Sequence, residues 1–170
     1  MSLADSIISA MEDSKTSEFE KLRSKLKTKK PLSKQDFRAL VKLLEIKAIE
    51  ILATNELSMN ECRMIGKAIL ASKLRNIDEI IKFVINREDN KTPLLLHNLL
   101  NKNCKIDLQP LREYLNRMVC GEMHLCHYKV LLVVSKNYPS LMSAEILDFC
   151  EADSHPVSKE LVKTHRIEIV

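Results

Sequence analysis

Residues 76–88, "NIDEIIKFVINRE", decide how this chain folds. Ile77, Ile80, Ile81, Val84 and Ile85 stand at i, i+3, i+4, i+7 and i+8. That is the spacing of one helical face, not the alternation of a strand. Asn76 and Glu79 are placed as the two halves of a capping box, in which a short polar side chain accepts from an orphan amide and the acid three residues on returns a bond. A similar pattern comes back at residues 105–118, "KIDLQPLREYLNRM", where Asp107 starts a helix lined by Leu108, Leu111, Leu115, Met118 and, just beyond, Val119. Gly121 is placed to end that helix with a positive φ.

Working outward, helix signals follow one another with little gap. Ser33 to Ala53 carries Phe37, Leu40, Val41, Leu44, Ala48, Ile51 and Leu52 at a helical period. Ser58 and Glu61 form a second capping box, for a helix running to about Ser72. Thr92 is placed as an N-cap with Pro93 at the first helical position, where a missing amide costs nothing. Met123 to Lys136 contains "VLLVV", apolar all round as in a central helix. After Tyr138-Pro139, Ser140 is the expected cap of a helix carrying Leu141, Ile146, Leu147 and Phe149, and His155-Pro156 opens a last short one. Paired as hairpins, the first helices start at Ser58, Thr92 and Met123, 34 and 31 residues apart, and the second at Asn76, Asp107 and Ser140, 31 and 33 apart. Two helices every 31 to 34 residues is the period of solenoids whose units cannot bury their apolar faces alone. The predicted fold is therefore all-α, a helical-repeat stack of antiparallel helix pairs.

Residues 71–93, "ASKLRNIDEIIKFVINREDNKTP", resemble the second helix and tail of a tetratricopeptide or pentatricopeptide unit, and residues 104–118, "CKIDLQPLREYLNRM", resemble a worn copy of it. The resemblance covers roughly residues 58–150 and implies hairpin architecture. It does not bring a binding code with it. Ile80 and Pro110 stand near where the tetratricopeptide pattern wants alanine, and the polar pair with which a pentatricopeptide unit reads a base has no match at the helix starts. HEAT-like or irregular hairpins remain open alternatives.

Composition agrees with helices: of 170 residues only 2 are Gly and 4% are aromatic, while 45% are hydrophobic and 29% charged. Gly66 and Gly121 are too far apart for a dinucleotide-binding or P-loop spacing. The net charge of +4 is unevenly placed. Residues 21–34 hold seven basic residues and no acid, leaving 20 basic against 23 acidic, or −3, elsewhere. The predicted organisation is an N-terminal helical and basic segment, residues 1–32, acting as cap or tether, followed by a helical-repeat domain over residues 33–170. Leu3, Ile7, Ile8 and Met11 make a weak stripe near the start, and Phe19, Leu22 and Leu26 a second that Pro31 ends. No apolar run approaches a membrane span. The first residues lack a secretory signal, so an intracellular location, cytoplasmic or nuclear, is expected, with the five cysteines as reduced thiols.

Four further features bear on function. Cys120, His124 and His127, with Cys126 adjoining, have helical spacing for a metal, but Gly121 breaks the set and no second ligand pair follows, so no metal or cofactor is expected. No glycine-flanked nucleophile turn, paired carboxylates or HExxH sequence supports catalysis, and the chain is read as not an enzyme. The basic residues Lys21, Arg23, Lys25, Lys27, Lys29, Lys30 and Lys34 form a candidate contact patch for an acidic partner or for phosphates. The final "RIEIV" offers an apolar carboxylate terminus of the kind captured by strand addition. The expected function is a protein–protein interaction scaffold or adaptor that takes a protein or peptide in a surface groove. An RNA-associated repeat protein is the alternative, and a self-associating helical bundle the second.

Overall fold

The computed structural model describes residues 18–28, 30–54, 56–87 and 89–166, and every regular element among them is helical. The early stripe of Leu3, Ile7, Ile8 and Met11, together with residues 167–170 of the terminal "RIEIV", lies outside the described residues. Among those described, no helix is long and apolar enough to cross a membrane. The chain divides into two compact units, Met1–Arg75 and Asn76–Val170.

In the first unit, α1 (residues 18–26), α2 (Lys34–Leu52) and α3 (Met59–Ala71) bury one another's apolar stripes. Phe19, Leu22 and Leu26 of α1 are buried with Leu40, Leu44, Ile51 and Leu52 of α2 and Cys62, Ile65 and Ile69 of α3. The segment expected to act as cap or tether thus supplies, over residues 18–26, one of the three helices of this core. The Ser58 capping box forms as the sequence predicts: Glu61 N–H donates to Ser58 Oγ at 3.2 Å, and Ser58 N–H donates to Glu61 Oε2 at 2.6 Å. The other carboxylate oxygen of Glu61 receives Arg23 Nε at 2.8 Å, so the cap of α3 is also the anchor of α1. Asn60 adds a second anchor, its amide donating to the Leu26 and Thr28 carbonyls at 2.7 Å each. At the other end of α3, Lys73 N–H donates to Glu45 Oε1 of α2 at 2.6 Å. α2 leaves helical geometry at Lys47 (φ −134°, ψ 40°).

The second unit comprises α4 (Ile77–Arg87), α5 (Thr92–Leu100), α6 (Leu108–Val119), α7 (Leu125–Asn137), a 3₁₀ turn (Pro139–Leu141), α8 (Ala144–Ala152) and α9 (Pro156–Arg166). Its helices sort into two rows. α4 meets α6 and α6 meets α8 in one, while α5 meets α7 and α7 meets α9 in the other. Across the rows, α4 packs on α5 and α8 on α9. The strong neighbour pairs therefore run one helix out of phase with the sequence expectation, which joined the Thr92 helix to the Asp107 helix. Within this unit the two packed sequence neighbours have the shortest connections: four residues link α4 to α5 and three link α8 to α9, whereas five separate α6 from α7, six α7 from α8 and seven α5 from α6.

Three caps differ from those predicted. Ser140 sits inside the 3₁₀ turn, and Ser143 caps α8 instead, its hydroxyl accepting from Ile146 N–H at 3.4 Å. Pro139 fixes φ for a tight turn and delays the helix by three residues. Thr92 is the first residue of α5, not its cap; the Asp89 carboxylate accepts from Lys91 and Thr92 N–H at 2.9 Å each, and an acid there also suits the positive end of the helix dipole. Gly121 has no positive φ. α6 closes through three-residue bonds from Cys120 N–H to Arg117 and from Gly121 N–H to Met118, so no left-handed residue is needed. Asn76, whose carbonyl accepts from Ile80 N–H, starts α4 from a left-handed backbone with φ 54°.

The centre of this unit is α5. Leu95, Leu96, Leu99 and Leu100 are all fully buried, as are Val130, Leu131 and Val134 of α7 facing them. "VLLVV" is not apolar on a wholly enclosed helix, because Leu132 is 41% exposed. Asn137 donates to the Leu100 carbonyl at 3.0 Å and Tyr138 Oη to the Cys104 carbonyl at 3.1 Å, pinning the end of α7 to the end of α5. Leu131→Ala is expected to cost about 2–5 kcal/mol by opening a cavity beside α5, measured as a lowered denaturant midpoint. Arg23→Ala is expected to cost the first unit about 1–3 kcal/mol by leaving the buried Glu61 carboxylate short of its charged donor, and a midpoint unchanged within error would show that α1 is not anchored there.

Candidate interaction surfaces

The basic segment is partly absorbed into structure. Arg23 is engaged with Glu61, and the result is visible in the acid: burial alone would push Glu61 up, but the Ser58 amide and then the Arg23 guanidinium bring it below the usual glutamate range. Lys25 donates to Asp36 of α2 at 2.8 Å, an exposed pair of small energetic weight. Lys21, Lys27, Lys30 and Lys34 are exposed, and Lys29 lies outside the described residues. A cleft of about 330 Å³ between α1 and α2 is floored by Leu22, Ala39 and Leu43 and rimmed by Lys21, Lys25 and Asp36. Its rim carries both signs of charge, so it selects no charged ligand.

The cysteine and histidine cluster is spread over two helices. Cys120 ends α6 and is exposed, whereas His124 starts α7 and Cys126 and His127 lie in its first turn. His124 N–H donates to His127 Nδ1 at 2.9 Å, and Cys126 Sγ stands 4.0 Å from that nitrogen. His127 is thereby used as an acceptor at the helix start. Among the described residues no group of three His, Cys, Asp or Glu side chains is placed to hold a metal ion. A second cleft, about 340 Å³, opens where Pro93 of α5, Tyr114, Arg117 and Met118 of α6 and His127 of α7 converge. Asp89 and Glu122 oppose Arg117 on its rim, and burial pushes the Tyr114 hydroxyl above its ordinary range, which keeps it neutral.

A polar knot at the α8–α9 turn is not evident in the sequence. Ser158, fully buried, donates to Asp153 Oδ2 at 2.6 Å, and Tyr128 Oη donates to the same oxygen at 2.8 Å. The His155 ring stacks on Tyr128 with centroids 3.8 Å apart. Burial, and then the hydrogen bond to Asp153, raises Tyr128 to about 12. Serine, histidine and aspartate are all present, but His155 Nδ1 accepts from Val157 N–H instead of meeting the serine, so the knot ties α7 to the turn and activates no nucleophile.

The surface with the clearest character is the outer side of α7. Leu125 (62% exposed), Lys129, Leu132 (41% exposed) and Lys136 follow at i, i+4, i+7 and i+11. At about 100° per residue they fall within roughly 60° of one another on the helix. Neither α7 nor its neighbour α5 contains an aspartate or glutamate. On the α5 side the imidazole of half-buried His97 is lowered first by burial and then by the charge of Lys129. On the α9 side Ser135 Oγ and His165 Nε2 are 2.7 Å apart. A leucine and lysine stripe on a helix otherwise enclosed is visible in the sequence only once the buried sides of α7 are known.

No protein-family model matches the chain, and no curated protein matches it.

His97 and His127 are both held below their ordinary 6.5, His97 by burial and then Lys129, His127 by burial and then His124. As pH falls, the unfolded chain takes up these protons before the folded one. The stability they protect is therefore complete above about 6.5 and lost as pH drops below it. The thermal midpoint of the second unit is expected to fall between about pH 7.5 and pH 5.5, and the double replacement of His97 and His127 by Gln to flatten that slope.

Proposed function

We propose that this chain is a non-enzymatic protein–protein interaction module, a short helical-repeat scaffold whose working surface is the outer side of the α5, α7 and α9 row. The observation that carries the proposal is the pair Leu125 and Leu132, exposed two turns apart on a helix whose Tyr128, Val130, Leu131, Val133 and Val134 are buried. Apolar side chains held out at helical spacing are what a partner helix or peptide buries when it lies along a groove. The solenoid architecture is supported by the two rows and by their spacing. Ile77, Leu108 and Ala144 start the helices of one row 31 and 36 residues apart; Thr92, Leu125 and Pro156 start the other 33 and 31 apart. Three of these four intervals fall within the 31 to 34 residues of the tetratricopeptide-like resemblance, with α4–α5 and α8–α9 as the packed hairpins.

RNA association is the second proposal, favoured by the exposed Lys21, Lys25, Lys27, Lys30 and Lys34 of the first unit. Single-stranded RNA is normally held by bases stacked on aromatic side chains. Here Tyr114, Tyr128, Tyr138 and Phe19 are buried and Phe37, Phe83 and Phe149 partly so, which leaves no fully exposed phenylalanine or tyrosine ring among the described residues and weakens that alternative. The two proposals separate in one experiment. Proteins retained from cell extract by the intact chain are compared with those retained by Leu132→Glu, each with and without ribonuclease. A protein set lost on Leu132→Glu and indifferent to ribonuclease is expected. A set that ribonuclease empties and Leu132→Glu leaves alone would transfer the function to RNA.

A further inference from the structure

The fold separates charge between its two rows. α5, α7 and α9 together carry Lys129, Lys136, Lys159, Lys163 and Arg166 against the single acid Glu160, a sum of +4. α4, α6 and α8 carry four basic and six acidic residues, a sum of −2, of which α8 contributes −3 through Glu145, Asp148 and Glu151. The sequence assigned the whole positive excess to residues 21–34, because the helices of the two rows alternate along the chain and largely offset one another in a sum over it.

We propose that the outer side of α7 docks an acidic amphipathic helix of a partner protein, its apolar side chains on Leu125 and Leu132 and its carboxylates on Lys129 and Lys136. This rests on the interaction role proposed above and names the partner's chemistry. The charge is what selects it. α5 and α7 offer no carboxylate to repel an acidic ligand, and Lys129 and Lys136 present donors only. Of the other exposed apolar side chains, Ile46 and Ile49 on α2 are interleaved with Lys42, Glu45, Lys47 and Glu50 and specify no sign, and Met59 and Leu70 stand at opposite ends of α3. Spacing sets the pattern. The two leucines are seven residues apart, about 10 Å along the axis, and so are the two lysines, offset by four residues. A helix lying alongside matches both only if its apolar and acidic residues each repeat every seven positions. RNA fits the lysines but leaves the two leucines against a charged backbone.

The test uses the full chain and three labelled peptides of equal length, read by fluorescence anisotropy at low and high salt. One repeats Leu every seventh residue with Glu four residues after each, one has the same composition shuffled, and one has Gln for each Glu. The periodic acidic peptide is expected to bind, with Leu125→Ala and Leu132→Ala each weakening it roughly tenfold. Lys129→Gln with Lys136→Gln is expected to reduce its affinity to that of the Gln peptide and to remove the salt dependence. Both leucines are exposed, so unchanged denaturant midpoints in these variants confirm that folding is intact. Equal binding of the shuffled peptide, indifference to Leu132→Ala, or no binding by any peptide overturns the proposal, as does single-stranded RNA that binds at Lys129 and Lys136 without regard to the leucines. If the peptides fail while Leu132→Glu still empties the extract capture, the acidic helix is wrong and the interaction surface stands; if both fail, the surface falls as well.

Discussion

A nine-residue helix without a single charged residue cannot hold itself in water, because nucleating so short a segment costs more than its few hydrogen bonds return. α5 is such a helix, and its burial is the constraint from which the second unit follows. Leu95, Leu96, Leu99 and Leu100 demand cover on several sides. α4 supplies one, bound to it by a short link that Asp89 caps, and α7 supplies another, pinned by Asn137 and Tyr138. Once α4 and α7 lie against α5, their own uncovered faces recruit α6 and α9, and α8 is added on α6 and α9. The outward side of α7 is what remains when this covering is complete.

The first unit depends on a different kind of contact. Glu61 closes the capping box of its own helix and receives Arg23 from α1, so a local signal and a long-range one meet in one carboxylate. Such a group is worth most when every partner is in place, since a buried carboxylate missing one donor keeps its desolvation cost. Half of this was legible from the sequence, for Ser58 and Glu61 stand at the spacing a capping box requires. The other half was not, because Arg23 looks like any member of a basic run until the fold places it 2.8 Å from an acid 38 residues away.

The same division holds elsewhere. Helix positions were readable from the periodicity of Ile77 to Ile85 and of Leu108 to Val119, which reflects burial on one side and little else. Which helices pair was not readable from the caps, because pairing depends on which buried faces meet, and Pro139 shifts one start from Ser140 to Ser143. Gly121 looked like a left-handed stop, yet α6 tightens into a final 3₁₀ turn and ends without one. Leu132, within "VLLVV", reads as core for the same reason that α7 reads as central: apolarity does not tell which of a helix's sides is covered. The α7 stripe became apparent only after Val130, Leu131 and Val134 were seen to be turned inward.

Opposite charge on the two rows has a kinetic meaning. Arg166 of α9 is already paired with Asp148 and Glu151 of α8, so the positive field of this row comes from the exposed Lys129, Lys136, Lys159 and Lys163. Such a field would act on an anion before contact, over about 10 Å at ordinary ionic strength. Orientation during diffusion is thus selected before any apolar surface is buried, and the encounter rate responds to ionic strength far more than the lifetime of a complex once formed.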